Sequence, residues 1–475
     1  MIPARFQPVL AELAPLSDRF RAAGHRLYLV GGSVRELLGG EALPGSGEID
    51  DFDATTDAKP DEVKALLHGW ADAIWTQGER FGTIGAKKQG PHGERIYEIT
   101  THRAEAYTDD SRKPVVEFSR DINLDLSRRD FTINAMALEL TSDSPTLVDP
   151  YNGAVDLATR TLRTPLAPEV SFGDDPLRML RAARFIARLA VVPVPELVAA
   201  VREMSGRLAI VSAERVRDEL DKLLTVPSPS AGLWFTIETG LCDHFLPELP
   251  AMRLEQDPIH RHKDVLTHTL AVVENVRPDA QADFDFRRTR LAALFHDVGK
   301  PRTRGYLKGK GVTFHHHDAV GARMTRKRLE ALRYSNDDVE AITELVALHL
   351  RFHTYAMGWT DSAVRRYVRD AGPLLRELNV LTRCDCTTRN EKKAQILSDR
   401  MDDLEARIAV LAEKEELAAI RPELDGSQVM EQLGIAPGRM VGKALAYLLE
   451  IRLDEGMLGE PEIRRRLDDW AKSQS

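Results

Sequence analysis

The chain has 475 residues and a formal net charge of −9; 43% of its residues are hydrophobic and 29% charged, the balance of an ordinary globular protein. At roughly 100–200 residues per domain, that length predicts about three domains. No run reaches the roughly 18 uninterrupted apolar residues of a membrane span. The start has no apolar stretch ending in a small-residue cleavage site. The three cysteines, Cys242, Cys384 and Cys386, are an odd, sparse set with no C-x-x-C spacing, which supports neither a disulfide framework nor a zinc site. A reduced, cytoplasmic setting without a membrane is expected. With a negative bulk charge, any polyanionic partner needs a local basic face.

In chain order, residues 1–24 read as a helix, with Val9, Leu10, Leu13, Leu16 and Phe20 at helical spacing. "HRLYLVGG" reads as a strand entering a turn, and "EALPGSGEID" as a Gly- and Pro-rich loop. "DEVKALLHGW" is helical, with Asp61 as the expected cap. "FGTIGAKK" and "RIYEITTHR" alternate as paired strands around a "QGPHGE" hairpin. Residues 25–165 thus form a small α/β unit. From about residue 168 the pattern is almost entirely helical, and 277–286 reads as a loop.

Asp51 and Asp53 in "DDFDATTDA" are two apart on an expected strand, so they face one side. Adjacent carboxylates repel unless a cation lies between them, and hard oxygen ligands suit Mg²⁺ with a phosphate-bearing substrate. A solvated acidic loop is the alternative. "LVGGSVRELLGG" puts Gly31 and Gly32 between a strand and a helix with Arg35 in its first turn. Such a turn can hold a phosphate on backbone amides. "RRDFTINAMALE" places Arg129 and Asp130 before an apolar run. They suit contacts to a triphosphate and a ribose hydroxyl, or a capped helix start in which Asn134 is a structural hydrogen-bonder. Arg178, Arg181, Arg184 and Arg188 fall on one helix face, directly after an acid pair expected at that helix's N-terminus, Asp174 and Asp175. An Asp and an Arg one turn apart can present an acceptor and a donor fork to the edges of C and A.

The ordered motifs "LVGGSVREL", "DFDATTDA", "YEITTHR", "RRDFTINAMA", "DPYNGAVDLATRTLRT", "DDPLRMLRAARF" and "AERVRDELDKLL" resemble those of the class II CCA-adding tRNA nucleotidyltransferases and their poly(A) polymerase relatives, over residues 25–225. The resemblance implies an α+β fold: a polymerase-β-like nucleotidyltransferase head (1–165), then an all-helical neck that binds the nucleobase (166–252), an HD body (253–370) and a tail (371–475). It implies template-independent addition of C, C and A to the 3′ end of tRNA from CTP and ATP, without an obligate protein partner. By resemblance, Asp51 and Asp53 match the metal carboxylates. Gly32 and Arg35 match triphosphate contacts, Arg129 the nucleotide-binding arginine, and Asp175 and Arg178 the base-reading pair, with Arg181 and Arg184 following. Glu98 is the expected third carboxylate. Asp174 stands where the family usually has Glu, and "GGEALPGSGEID" is longer than the commonest family form.

Downstream, "HRHKDVLTHTL", "LAALFHDVGKPRTR", "FHHHDAVGA", "LVALHLRFH" and "RCDCTTRN" resemble the HD domain of metal-dependent phosphohydrolases. That resemblance makes His268, His296, Asp297 and Asp385 candidate ligands for a second divalent transition metal, with His316 and His349 as extras; the alternative is an HD fold that serves as packing. Imidazole plus carboxylate suits Mn, Ni, Fe or Zn. Poly(A) synthesis, addition of C or A alone, and HD-type phosphohydrolysis remain as rival activities.

Overall fold

A computed structural model describes residues 3–40, 51–90, 93–106, 115–254, 264–279, 283–307, 311–388, 390–415 and 420–474. The expected loop at 41–50 and the tip of the hairpin at 91–92 lie outside these. The chain divides into two units, 1–247 and 248–475.

The first unit begins with α1 (Gln7–Ala22), β1 (Leu27–Val30), α2 (Gly32–Gly39), β2 (Asp51–Thr56), α3 (Pro60–Leu67), β3 (Ala73–Trp75), β4 (Thr83–Gly90), β5 (Gly93–Thr101), β6 (Arg103–Ala106), β7 (Val115–Phe118) and α4 (Ile122–Ser127). It continues with β8 (Ala137–Glu139), β9 (Thr146–Val148), α5 (Gly153–Ala158), β10 (Thr161–Leu162), α6 (Pro168–Asp174), α7 (Leu177–Leu189), β11 (Val192–Pro193), α8 (Pro195–Met204), α9 (Ala213–Leu224) and α10 (Ser230–Glu238). Seven strands form one sheet in the order β3-β4-β5-β2-β1-β8-β9. Within it β2 runs parallel to β5, with Asp53 opposite Glu98.

Strand periodicity sets the faces of β2. Phe52 is buried and stacks on Tyr97, ring centroids 5.4 Å apart, while Asp51 and Asp53 point to the other, solvent-facing side. Both faces of β1 are covered. On one of them Tyr28 and Val30 pack with Ile122, Leu126, Ala135 and Ala137. α1 turns Leu13, Leu16 and Phe20 inward, the apolar stripe its spacing predicts. The cap of α3 differs from expectation. Its first turn is closed by Glu62, which accepts from the Lys59 amide at 2.7 Å, and Asp61 instead pairs with Lys64 at 2.7 Å. Nor do Asp174 and Asp175 open one helix. α6 ends at Asp174 and α7 starts after Pro176, because proline cannot continue the hydrogen-bond ladder.

Among its described residues, the second unit is helical apart from a short two-stranded pairing. It comprises α11 (Glu248–Ala251), α12 (Val265–Asn275), α13 (Phe286–Phe295), α14 (Lys300–Thr303), β12 (Gly305–Leu307), β13 (Gly311–Thr313), α15 (His317–Ala331), α16 (Asn336–Leu348), α17 (Asp361–Ala371), α18 (Leu375–Asp385), α19 (Glu391–Glu415), α20 (Gly426–Leu433), α21 (Arg439–Glu455) and α22 (Glu460–Gln474). The last three enclose a core of their own built on Val429, Ala444, Leu448, Ile463 and Leu467. Among the described residues no helix is long and apolar enough to cross a membrane.

Gly153 opens α5, and Asp149 accepts from the Gly153 and Ala154 amides at 2.6 and 2.9 Å. A Cβ on Gly153 would lie 2.1 Å from the Thr132 carbonyl oxygen. Gly153→Ala is expected to destabilise the first unit by about 1–3 kcal/mol, read by calorimetry. An unshifted transition would show that α5 can move away from Thr132.

Candidate active site

The site grows from two sequence-local features. The turn after β1 needs a positive φ at Gly31, +68°, which glycine adopts without penalty. α2 then starts at Gly32. A Cβ on Gly31 would lie 3.1 Å from Arg129 Nη1 and 3.7 Å from Asp53 Oδ2. The turn, the aspartate and the arginine therefore meet at one point. Ser33 Oγ donates to the Asp51 carbonyl at 3.2 Å, tying the turn to β2.

Asp51, Asp53 and Glu98 share one sheet face. Desolvation raises the Asp53 carboxyl, Arg129 opposes this and Asp51 adds to it. Glu98 is raised by desolvation, then by Asp53 and Asp51. Carboxyls raised by burial and by neighbouring carboxylates belong to a donor set short of positive charge. Arg129 donates to Asp125 at 3.3 Å, while its buried Nε has no hydrogen-bond partner. An orphaned guanidinium donor beside the glycine turn suits an incoming anion.

Arg35 lies deeper than a direct phosphate contact requires. It is 4% exposed, hydrogen-bonded to Asn134 Oδ1 and, at 2.7 Å, to Glu36. Asn134 donates in turn to Asp130 at 2.9 Å. Arg181 donates to the same carboxylate through Nε and Nη2, at 3.0 and 2.5 Å. Burial alone would raise the Asp130 carboxyl, but Arg181 and Asn134 reverse this and hold it at about 2.

Each arginine on this face of α7 has a protein partner. Arg178 donates to Ser171 Oγ at 2.8 Å and to the Arg128 carbonyl at 2.6 Å. Arg184 is buried against Glu219, and Arg188 reaches Glu36 at 3.1 Å. Asp175 accepts from Arg215 Nη2 at 2.7 Å. Arg215, Glu36 and Asn134 complete this network, yet nothing in their spacing marks Arg215 or Glu36 as site residues.

In the second unit five helices bring the HD residues together. His268 lies on α12, His296 and Asp297 follow α13, His317 opens α15, His349 follows α16 and Asp385 ends α18. His268, His296 and Asp385 form one group with ligand atoms within 4.8 Å of one another, and Asp297, His317 and His349 a second. The expected His316 does not join either. It caps α15 at φ +61° and is exposed, whereas His317, one residue on, is buried. The "HHH" run hides this, because only the start of α15 decides which ring turns inward. His296, His317 and His349 each hydrogen-bond through Nδ1 to the carbonyl three residues earlier, at 2.8, 2.7 and 2.6 Å. This fixes the tautomer and leaves Nε2 as the ligand atom.

Charge is uneven around the cluster. Burial would raise Asp297 and Asp385, yet His296 and His268 lead the contacts that hold them well below the usual carboxylate range. Burial and the neighbouring His296 push the His349 ring down to about 4. The cluster opens on a cavity of about 730 Å³ lined also by Lys300, Phe352, Lys393 and Met401. Its donors, imidazole and carboxylate at the bottom of a cavity, fit a transition-metal ion.

Three family models match the chain: the poly A polymerase head domain over residues 27–163, the probable RNA and SrmB-binding site of polymerase A over 194–252, and the HD domain over 265–416. An A-adding tRNA nucleotidyltransferase of Deinococcus radiodurans is 37% identical over 359 residues, 73% of this chain and 79% of that one. A CCA-adding enzyme of Levilactobacillus brevis is 39% identical over 228 residues, 48% and 53% of the two chains. The crystal structure of the Bacillus stearothermophilus CCA-adding enzyme in complex with CTP superposes with a TM-score of 0.68 at 24% identity, over 99% of each chain. Fold and comparisons together define a metal-dependent nucleotidyltransferase that carries an HD domain. The chain belongs to the class II tRNA nucleotidyltransferases, the family of the CCA-adding enzymes.

Because the Asp130 carboxyl sits below its ordinary value in the fold, its stabilisation is present above about pH 4 and is lost as pH falls towards 2. Asp130→Asn is therefore expected to lower stability at pH 7 by on the order of 2 kcal/mol, with the gap from wild type closing below pH 4. A gap that does not depend on pH would remove the charge from this account.

Proposed function

We propose that the protein adds C, C and A to the 3′ end of tRNA, using CTP and ATP without a nucleic-acid template and releasing pyrophosphate. The observation that carries this reading is the convergence of Asp51, Asp53 and Glu98 on one sheet face, beside a glycine turn and the orphaned Nε of Arg129. In this reading the domains are a head (1–165), a neck (166–252), an HD body (253–370) and a tail (371–475).

The tRNA 3′-oxygen forms a bond to the α-phosphorus as the bond to pyrophosphate breaks, and the hydroxyl proton passes to solvent. Asp51 and Asp53, with Glu98 as third carboxylate, would hold Mg²⁺, which when bound lowers the hydroxyl's pKa and neutralises the leaving pyrophosphate. Arg129 and the amides at Gly32 hold the triphosphate. Asp175 and Arg178 offer an acceptor and a donor fork to the base. Arg35, Arg181 and Arg184 are positioning residues, acting through Asn134, Asp130 and Glu219 respectively. tRNA binds mostly by its phosphates and falls off as salt rises. A cytoplasmic location fits these substrates.

On tRNA lacking its CCA end, two additions with CTP alone and one more once ATP is present are expected. Arg129→Ala should lower kcat/KM by roughly a hundredfold, and an Asp51→Ala, Asp53→Ala chain should incorporate nothing. Addition of A alone, to tRNA already ending in CC, would move the reading to the activity named for the Deinococcus relative. A long A ladder would move it to poly(A) polymerase.

A second activity is favoured by the cavity over the histidine cluster. His268, His296, Asp297 and Asp385 would hold a divalent transition metal there, and Lys300 and Lys393 suit the phosphate of an ester substrate. Phosphate-ester hydrolysis should survive in the Asp51→Ala, Asp53→Ala chain and vanish in His296→Ala, Asp297→Ala. Loss in the first chain as well would deny the second unit an activity of its own.

A further inference from the structure

We propose that Ser171 is a positioning residue that fixes the guanidinium plane of Arg178 and thereby sets the preference for C and A over U and G. This rests on the reading of Asp175 and Arg178 as the base-contacting pair and deepens it. The break between α6 and α7 puts Ser171 in contact with both members. Pro176 has no N–H with which to continue the ladder, so α6 closes on the Asp175 amide, which donates to the Ser171 carbonyl at 3.2 Å. Asp175 leaves the helix in an extended conformation, φ −143°, and its carboxylate accepts from the Leu177 amide at 3.1 Å. Arg178, in the first turn of α7, then reaches back to Ser171.

Arg178 is held by one end. Its Nη1 donates to Ser171 Oγ at 2.8 Å and to the Ser171 carbonyl at 3.3 Å, and its Nη2 donates to the Arg128 carbonyl at 2.6 Å. A guanidinium carries five N–H groups in one rigid plane. With the end between Nη1 and Nη2 committed to protein, the edge formed by Nε and the second Nη2 hydrogen remains for a ligand. Ser171 is 3% exposed, whereas Asp175 and Arg178 are half-buried. The anchor is thus inside the protein and the pair it serves is partly open. The other tie on this pair, from Arg215 to Asp175, comes from an exposed arginine, and exposed ion pairs contribute little. Two of the three acceptors on Arg178 are backbone carbonyls. Ser171 Oγ is the one that a substitution can remove.

The plane matters because the bases differ in the sense of their hydrogen bonds more than in shape. Cytosine and adenine each present an amine beside a ring acceptor. Uracil and guanine present a carbonyl beside a ring N–H. An aspartate fixed as acceptor next to an arginine fixed as donor therefore meets uracil acceptor to acceptor and donor to donor. Both sides are left unpaired, and that penalty is what selects against the wrong base. An arginine free to swing turns its N–H away and escapes the penalty.

The test is incorporation of CTP or UTP, each alone, on tRNA lacking its CCA end, by the full chain, with kcat and KM measured separately. Wild type should prefer CTP. Ser171→Ala should narrow the ratio of the two kcat/KM values by roughly tenfold, chiefly through a raised KM for CTP. Ser171→Thr, which keeps the hydroxyl, should restore the ratio. Ser171→Cys, close in size and a weak acceptor, should behave as the alanine variant does, and it carries the test if that variant does not fold. An unchanged ratio, whether or not kcat falls, overturns the role of Ser171 and spares the base-contacting pair. A wild type that incorporates neither nucleotide, or both alike, overturns both.

Discussion

The first unit depends on one buried carboxylate. Asp130 stands between Arg181 of α7 and Asn134 of the turn that precedes β8, and Asn134 passes the connection on to Arg35 of α2. Glu36 closes the circuit by accepting from both Arg35 and Arg188. Removing one partner from such a network strands a charge in a desolvated place, which is far more costly than the pair's net contribution. The network therefore acts less as a source of stability than as a fixed geometry. It holds the helix that carries Arg178 at a set distance from the glycine turn and the two strand aspartates.

Much of this was legible in the sequence, and the failures share a cause. The strand-turn-helix around Gly31, the alternation of β2 and the arginine face of α7 are all local periodicities, and the chain shows them directly. The register of β2 on β5, which sets Glu98 beside Asp53, depends on strands some forty residues apart. Arg35 reads as a phosphate-contacting arginine in the first turn of a helix, and only the packing of Phe185 and Asn134 makes it an interior one. His316 and His317 are indistinguishable as letters in "FHHHD"; a left-handed residue at 316 turns one outward and the next inward. Pro176 marks the α6–α7 break in the sequence, since a proline cannot extend a helix behind it.

The two units solve the same problem with different chemistry. In the head, oxygen donors on a strand face water and would take their cation together with a substrate's phosphates. In the second unit, nitrogen donors fixed by backbone carbonyls are gathered before any substrate arrives. A strand edge offers adjacent carboxylates cheaply, by simple alternation. A preformed imidazole cage needs helix ends from separate parts of the chain, and glycine where two of them approach closely.

Among the described residues the seven-stranded sheet has one parallel pairing, β2 on β5, and it bears on how the site is assembled. β2 must wait for β5, which is reached only after α3 and the β3–β4 excursion. Contacts so distant in sequence form late, since the intervening loop must be closed before they can repay its entropy. A nascent or partly folded head thus exposes Asp51 and Asp53 as two ordinary acidic side chains, without Glu98 opposite them. The face that carries Asp51, Asp53 and Glu98 together is complete only once β5 has paired with β2.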